Sequence, residues 1–146
     1  LVLHGHGLRA RTLIVRASGR PEFVEILARR YVCRACHAVV LVVPAEVAKG
    51  HLYTLCAIAA ALAAWSHAGL SARRVRAEHA VGQVVGSAVS GWPSLIRWAR
   101  SAQRLWPKLG ALPHASPRRT ARAISAKLAA FAPTPTGRVL DDAVAG

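Results

Sequence analysis

Apolar positions along the chain follow two different periods. Thr12-Leu13-Ile14-Val15 is a short β-rich run, and Ser18-Gly19-Arg20-Pro21 supplies turn residues after it. Glu22 to Val32 alternates imperfectly, and a helix opening at Pro21 competes with a strand. Strand is preferred for its later half, because Tyr31-Val32 leads directly into Cys33. Val39-Val40-Leu41-Val42-Val43 is a run of β-formers ended by Pro44. Two strands flanking Cys33-Arg34-Ala35-Cys36 predict a β-hairpin with a metal knuckle at its tip.

From His51 onward the period becomes helical. Leu52, Leu55, Cys56, Ala59, Leu62 and Ala63 recur at helical spacing, and Gly69 closes the helix. Ser71 reads as the N-cap of a second helix starting at Ala72, with Arg73, Arg74 and Arg76 outside and Val75 inside. Gly82, Gly86 and Gly91 predict a short or irregular helix in the next stretch. A third helix starts near Trp92-Pro93, runs to about Trp106 and stops at Pro107. On it Leu95, Trp98, Ala99, Ala102, Leu105 and Trp106 share one side. Arg97, Arg100 and Arg104 share the other, at i, i+3 and i+7. Pro107 to Pro117 reads as a linker. Ser116 caps a fourth helix, Pro117 to Phe131, bearing Arg118, Arg119, Arg122 and Lys127. Pro133 to Gly137 ends regular structure, and the last nine residues read as a loose tail. The expected class is α+β. The expected units are a zinc-ribbon-like β unit (1–48), a helix-turn-helix helical unit (49–107), a linker with a basic C-terminal helix (108–132) and a flexible tail (133–146). No internal repeat is visible.

Charge changes this picture. Of 146 residues, 20 are Lys or Arg and 6 are Asp or Glu, a net charge of +14. Such a balance seeks polyanions. The 53 % hydrophobic content excludes a fully disordered chain, although much of it is Ala, which buries little area. Only six carboxylates, Glu22, Glu25, Glu46, Glu78, Asp141 and Asp142, could act as acids, bases or ligands, which argues against a large self-contained enzyme. A GC-rich genome accounts for part of the Ala and Arg bias, but not for the scarcity of acids. No acid lies between Glu78 and Asp141. An Arg stripe without acids suits phosphates and guanine edges, where an ordinary solvated helix face is the plainer alternative.

The absence of Met predicts a trimmed start or a fragment. No leader is visible, and Leu52–Trp65 is shorter than the about 20 residues a span requires. A cytoplasmic, non-membrane protein is expected. An odd count of three cysteines argues against a disulfide framework, and Cys56 reads as a buried core thiol.

Cys33 and Cys36 form half of a Zn²⁺ site, and tetrahedral closure needs two more ligands. His4 and His6, two apart on a strand, are the nearest candidates. A pair upstream of Leu1 is the alternative, and His37 follows Cys36 too directly to share the ion. Cys33 to His37 also spells Cys-x-x-Cys-His, the attachment pattern of c-type haem. A thioredoxin-like redox pair and two inert thiols are further readings. There is no Gly-x-Ser-x-Gly elbow and no phosphate-cradling loop. Asp141-Asp142 reads as a solvated pair, and His51, His67, His79 and His114 as structural or exposed. No catalytic residue is expected.

His4-Gly5-His6-Gly7-Leu8-Arg9-Ala10-Arg11, then Arg29-Arg30-Tyr31-Val32-Cys33-Arg34-Ala35-Cys36, then Val42-Val43-Pro44 resemble a transposase-associated zinc ribbon. Ser90 to Trp98 resembles the Arg-Trp ending of the helix-turn-helix that follows such ribbons. The likeness covers roughly residues 1–106. This chain lacks the first Cys pair of the pattern, and His37 stands where Gly is usual. The resemblance implies the DNA-binding part or an accessory protein of a mobile element, or a transcriptional regulator, without nuclease activity. A transposase or another mobile-element protein is then a partner. Arg97, Arg100 and Arg104 would face the major groove. Arg73, Arg74 and Arg76, with Arg118, Arg119 and Arg122, would contact phosphates. The rival classes are a redox or haem carrier and a non-catalytic interaction module.

Overall fold

The computed structural model describes residues 2–81, 91–112 and 116–146. The chain is α+β. Strands β1 (Leu3–Ala17), β2 (Arg20–Cys33) and β3 (Val39–Val42) form one antiparallel sheet in that order. Helices α1 (Leu55–Ser66), α2 (Ala72–His79), α3 (Pro93–Arg100), α4 (Ala102–Leu105), α5 (Pro117–Ala129) and α6 (Val139–Ala145) follow among the described residues.

The sheet begins from a tight turn. Ser18 and Gly19 both take positive φ, 47° and 80°, between the paired residues Ala17 and Arg20. That geometry matches the right-handed twist of a hairpin and fixes the register of everything beyond it. Leu13 then pairs with Val24, and Arg9 with Ala28. β1 therefore extends far past the short run at Thr12–Val15, back to Leu3. Its N-terminal part lacks apolar alternation and is held by backbone pairing, with one irregularity between Gly5 and Leu8. The same turn decides β2 as a strand over its whole length, against a helix from Pro21. The outer part of the sheet is exposed on both faces, with Leu8, Leu27, Val39 and Val42 all open to water.

The core lies around α1. Nine of its residues are buried, and Ile58, Ala61, Leu62 and Ala63 have no exposed surface. Thr54 caps it, its Oγ1 accepting from the Ala57 N–H. α2, α3, α5 and α6 all pack on α1, which also touches β1. No described helix is long and apolar enough to cross a membrane.

Three expectations are corrected. The third helix is not continuous to Trp106. It breaks at Ser101 (φ −93°, ψ 7°), whose N–H donates to both the Arg97 and the Trp98 carbonyls, and α4 adds one more turn. The expected linker is tied down in its first part. Pro107–Leu109 is a 3-10 turn with Leu109 buried, and Lys127 Nζ donates to the carbonyls of Leu109 (2.7 Å) and Ala111 (2.8 Å). The C-terminus is not a loose tail. Residues Val139–Ala145 form α6, which packs on α1 and α5 and buries Ala143. Asp142 is buried as well, not solvated. Its carboxylate accepts from the Thr136 N–H (2.7 Å), the Thr136 hydroxyl (2.8 Å) and the Gly137 N–H (3.1 Å). These donors, the Thr136 N–H foremost, hold its pKa below the usual carboxylate value. The sequence pattern missed α6 because its apolar content is too short to show a period.

Between α2 and α3, residues 82–90, with Gly82 and Gly86 and the expected irregular helix, lie outside the described residues, as does His114.

Leu62 tests the centrality of α1. Leu62→Ala is expected to lower unfolding free energy by about 2–5 kcal/mol in urea denaturation, because α1 is enclosed and the cavity has no route to collapse.

Candidate nucleic-acid interface

α3 is positioned by aromatic packing. Tyr53, Trp92 and Trp98 meet edge to face, with centroids 5.0 to 5.8 Å apart. Tyr53 in turn bridges to Ile14 of β1, so these rings tie the sheet to α3. Pro93 opens the helix at its first turn, and Leu95, Trp98 and Ala99 face the core. Arg97 and Arg100 then point to solvent. Neither side chain has a hydrogen bond or ion pair among the described residues. Arg104, one helix on, is exposed too, and its Nη2 donates to the Ser101 Oγ at 2.9 Å. The structure thus keeps the polar side of the third helix despite the break.

The other two arginine groups divide. On α2, Ser71 caps through its Oγ, which accepts from the Arg74 N–H at 3.2 Å, and Val75 and His79 point inward. Arg73 is exposed. Arg74 is engaged by Glu78 at 2.8 Å, an exposed i, i+4 pair. Arg76 is half-buried, and its charge acts on Tyr53. On α5, Arg118 lies 5.9 Å over the Trp65 ring and donates to the Leu70 carbonyl, so it fastens α5 to the end of α1. Arg119 and Arg122 are exposed, with no ion pair among the described residues.

The sequence pattern gave no sign of a further basic cluster. The loop from Pro44 to Thr54 is closed by a Val47–Thr54 bridge and by the Leu55 N–H donating to the Glu46 carbonyl at 2.8 Å. Arg11 crosses from β1, and its Nη2 donates to the carbonyls of Ala48 (3.2 Å) and His51 (2.8 Å). Between this loop and α4 lies a cleft of about 610 Å³ lined by Lys49, His51, Ser101 and Arg104 over an apolar floor of Leu55 and Leu105. Burial and the charges of Arg97, Arg104 and Arg11 push the His51 pKa down.

The Cys33–Cys36 turn has a defined geometry. The Cys33 N–H donates to the Ala38 carbonyl and the His37 N–H to the Cys33 carbonyl, both at 2.9 Å. His37 takes the left-handed conformation (φ 56°) that favours glycine. The backbone N–H groups of Cys36 and Ala35, then the Cys36 thiol, lower the Cys33 pKa, which suits a metal-binding thiolate. The turn lies between two strands, not at the start of a helix as a thioredoxin-like pair would. The expected His4 and His6 ligands do not join it. His4 is paired with Val32 and Leu3 with Cys33, so the pleat puts His4 and Cys33 on opposite faces. His6 falls in the irregular stretch between Gly5 and Leu8. Among the described residues no three His, Cys, Asp or Glu converge on one point. Two of four Zn²⁺ donors are therefore present, and the described residues do not complete the site. Cys56 is half-buried, and burial raises its thiol pKa.

No protein-family model matches the chain, and no curated protein or solved structure does either.

His79 offers a pH readout of the junction between sheet and helices. Arg16 Nη1 donates to His79 Nδ1 at 3.1 Å, which requires that nitrogen to be unprotonated. Burial, then the charge of Arg16, lowers the His79 pKa to about 4, against a smaller opposing pull from Glu78. The folded state therefore resists a proton that the unfolded chain accepts below its ordinary value of 6.5. Stability is expected to fall as pH drops from that value toward 4, and to gain nothing from this group above it. NMR titration of the His79 ring checks this, and Arg16→Ala is expected to raise the midpoint.

Proposed function

We propose that the protein binds double-stranded DNA, with Arg97 and Arg100 of α3 reading base edges in the major groove. One observation carries the reading. Two exposed guanidinium groups, without partners among the described residues, stand on a helix whose opposite face is locked by Trp98 and Leu95. A guanidinium fork matches the paired acceptors of guanine, and its orientation is fixed by the helix beneath it. Arg104 stands beside the same groove. Arg73, Arg119 and Arg122 supply exposed charge for phosphates, with Arg74 and Arg76 flanking them. Arg118 is committed to Trp65 and contributes through α5 placement instead.

The setting fits the DNA-recognition part or an accessory protein of a mobile element, or a transcriptional regulator, with no catalysis of its own. A cytoplasmic site of action and a partner that cuts or transcribes DNA go with this reading. Zn²⁺ on Cys33 and Cys36 belongs to it only together with two donors from outside the described residues, and no part of the DNA contact depends on it.

Fluorescence anisotropy with a pool of duplexes at two salt concentrations tests the proposal. Arg97→Ala or Arg100→Ala is expected to cost about 1–3 kcal/mol on preferred sequences and to relax their preference. Arg119→Ala is expected to weaken all sequences alike and to flatten the salt slope by about 1. Unchanged affinity in all three variants would reject the assignment.

A further inference from the structure

We infer that the cleft between the Ala45–His51 loop and α4 is a phosphate-binding site, which seats a backbone phosphate of the duplex beside α3. The second clause rests on the DNA reading above. Lys49 and Arg104 line the cleft as two cations, and His51 lines it as a third nitrogen donor. No carboxylate lines it. Glu46, the acid of the same loop, acts instead on Cys56. An ammonium, a guanidinium and an imidazole have among them many donors and one acceptor, which is the complement of a phosphate with its several acceptor oxygens. Leu55 and Leu105 form an apolar floor, where charge-assisted hydrogen bonds are stronger than in open water.

The site is built before any ligand arrives. Arg11 pins two carbonyls on either side of Lys49 and Gly50, and the Val47–Thr54 bridge closes the loop base. Gly50 turns the apex at φ 75°, a conformation that costs Gly little. Ser101, at the break between α3 and α4, accepts from Arg104 and steadies it at the rim. Arg104 lies on α4, just past the break, and lines the cleft from there. The opening is too wide for one small anion to fill, which suits a phosphate that arrives on a chain.

His51 reports occupancy. The charged groups acting on it are Arg11 from β1, Arg97 from α3 and Arg104 from α4, with Lys49 on its own loop. All are cations, and after burial they push the His51 pKa down, so a phosphate would offset that field. Binding should raise the His51 midpoint and should itself tighten as pH falls through it.

Duplex anisotropy and NMR of the His51 ring test the site. Lys49→Ala with His51→Gln is expected to weaken duplex binding about tenfold and to reduce the salt slope by about 1. Lys49→Ala alone, on an exposed loop position, is expected to weaken it about threefold without touching the packing. Saturating duplex should raise the His51 midpoint by about one unit, the equivalent of a tenfold preference for the charged ring. Duplex binding that is unchanged in both variants, with an unmoved His51 midpoint, would overturn the site and leave the DNA reading standing. If the unmodified protein binds no duplex, the DNA reading falls and inorganic pyrophosphate decides the cleft. A raised His51 midpoint upholds the phosphate site, and an unmoved one overturns it.

Discussion

α1 has no face left for water, and the arrangement of the rest follows from that. A helix of this composition cannot sit at a surface, since its alanines and Leu62 would expose an unbroken apolar cylinder. It also cannot bury itself alone. The small side chains let neighbouring backbones come close on several sides. α2, α3, α5 and α6 supply that cover, and β1 adds to it. Alanine brings little area per residue, so enclosure from many directions replaces a few large contacts. This is why α6, short and unpromising by itself, is held in place. It covers a strip of α1 that would otherwise be wet.

The second constraint is electrostatic. Fourteen net positive charges on one small chain repel one another, and very few acids are present to offset them. The fold handles part of this by giving several arginines structural work. Arg11 bonds backbone carbonyls, Arg16 bonds His79, Arg118 lies on Trp65, and Arg74 takes Glu78. Among what remains, the cations on α3, on α5 and around the loop before α1 have no acidic partner among the described residues. Charge left exposed at a cost in self-repulsion is charge that a polyanion would relieve. The aromatic contacts of Tyr53 with Trp92 and Trp98 add geometry to this field. They hold α3 against Tyr53, and so help set the direction in which Arg97 and Arg100 point.

Much of this was legible in the chain itself. The Ser71 cap, the start of α3 at Pro93, the strand after Cys36 and the burial of Leu95, Trp98 and Ala99 follow from local chemistry. A capping oxygen, a fixed proline φ and a side-chain period act over a few residues, and their partners are adjacent in sequence. The reach of β1 was not legible, because its outer half is paired through backbone groups that every sequence carries. The break at Ser101 was hidden for a related reason. Both halves of the third helix keep the same apolar side, so the period continues across it. The His4 ligand failed on the pleat, which only the observed register could settle.

The sequence by itself determined the class of structure, the excess of positive charge and the separation of α2 and α3 into a polar and an apolar side. These depend on composition and on contacts within a turn or two. Tertiary structure decided which arginines are spent and which are exposed, and it alone brought Arg11, Lys49, His51 and Arg104 around one cleft. Those residues come from a strand, a loop and a helix that are far apart along the chain. No pattern of spacing encodes their meeting. It results from how the sheet and the helices close around α1.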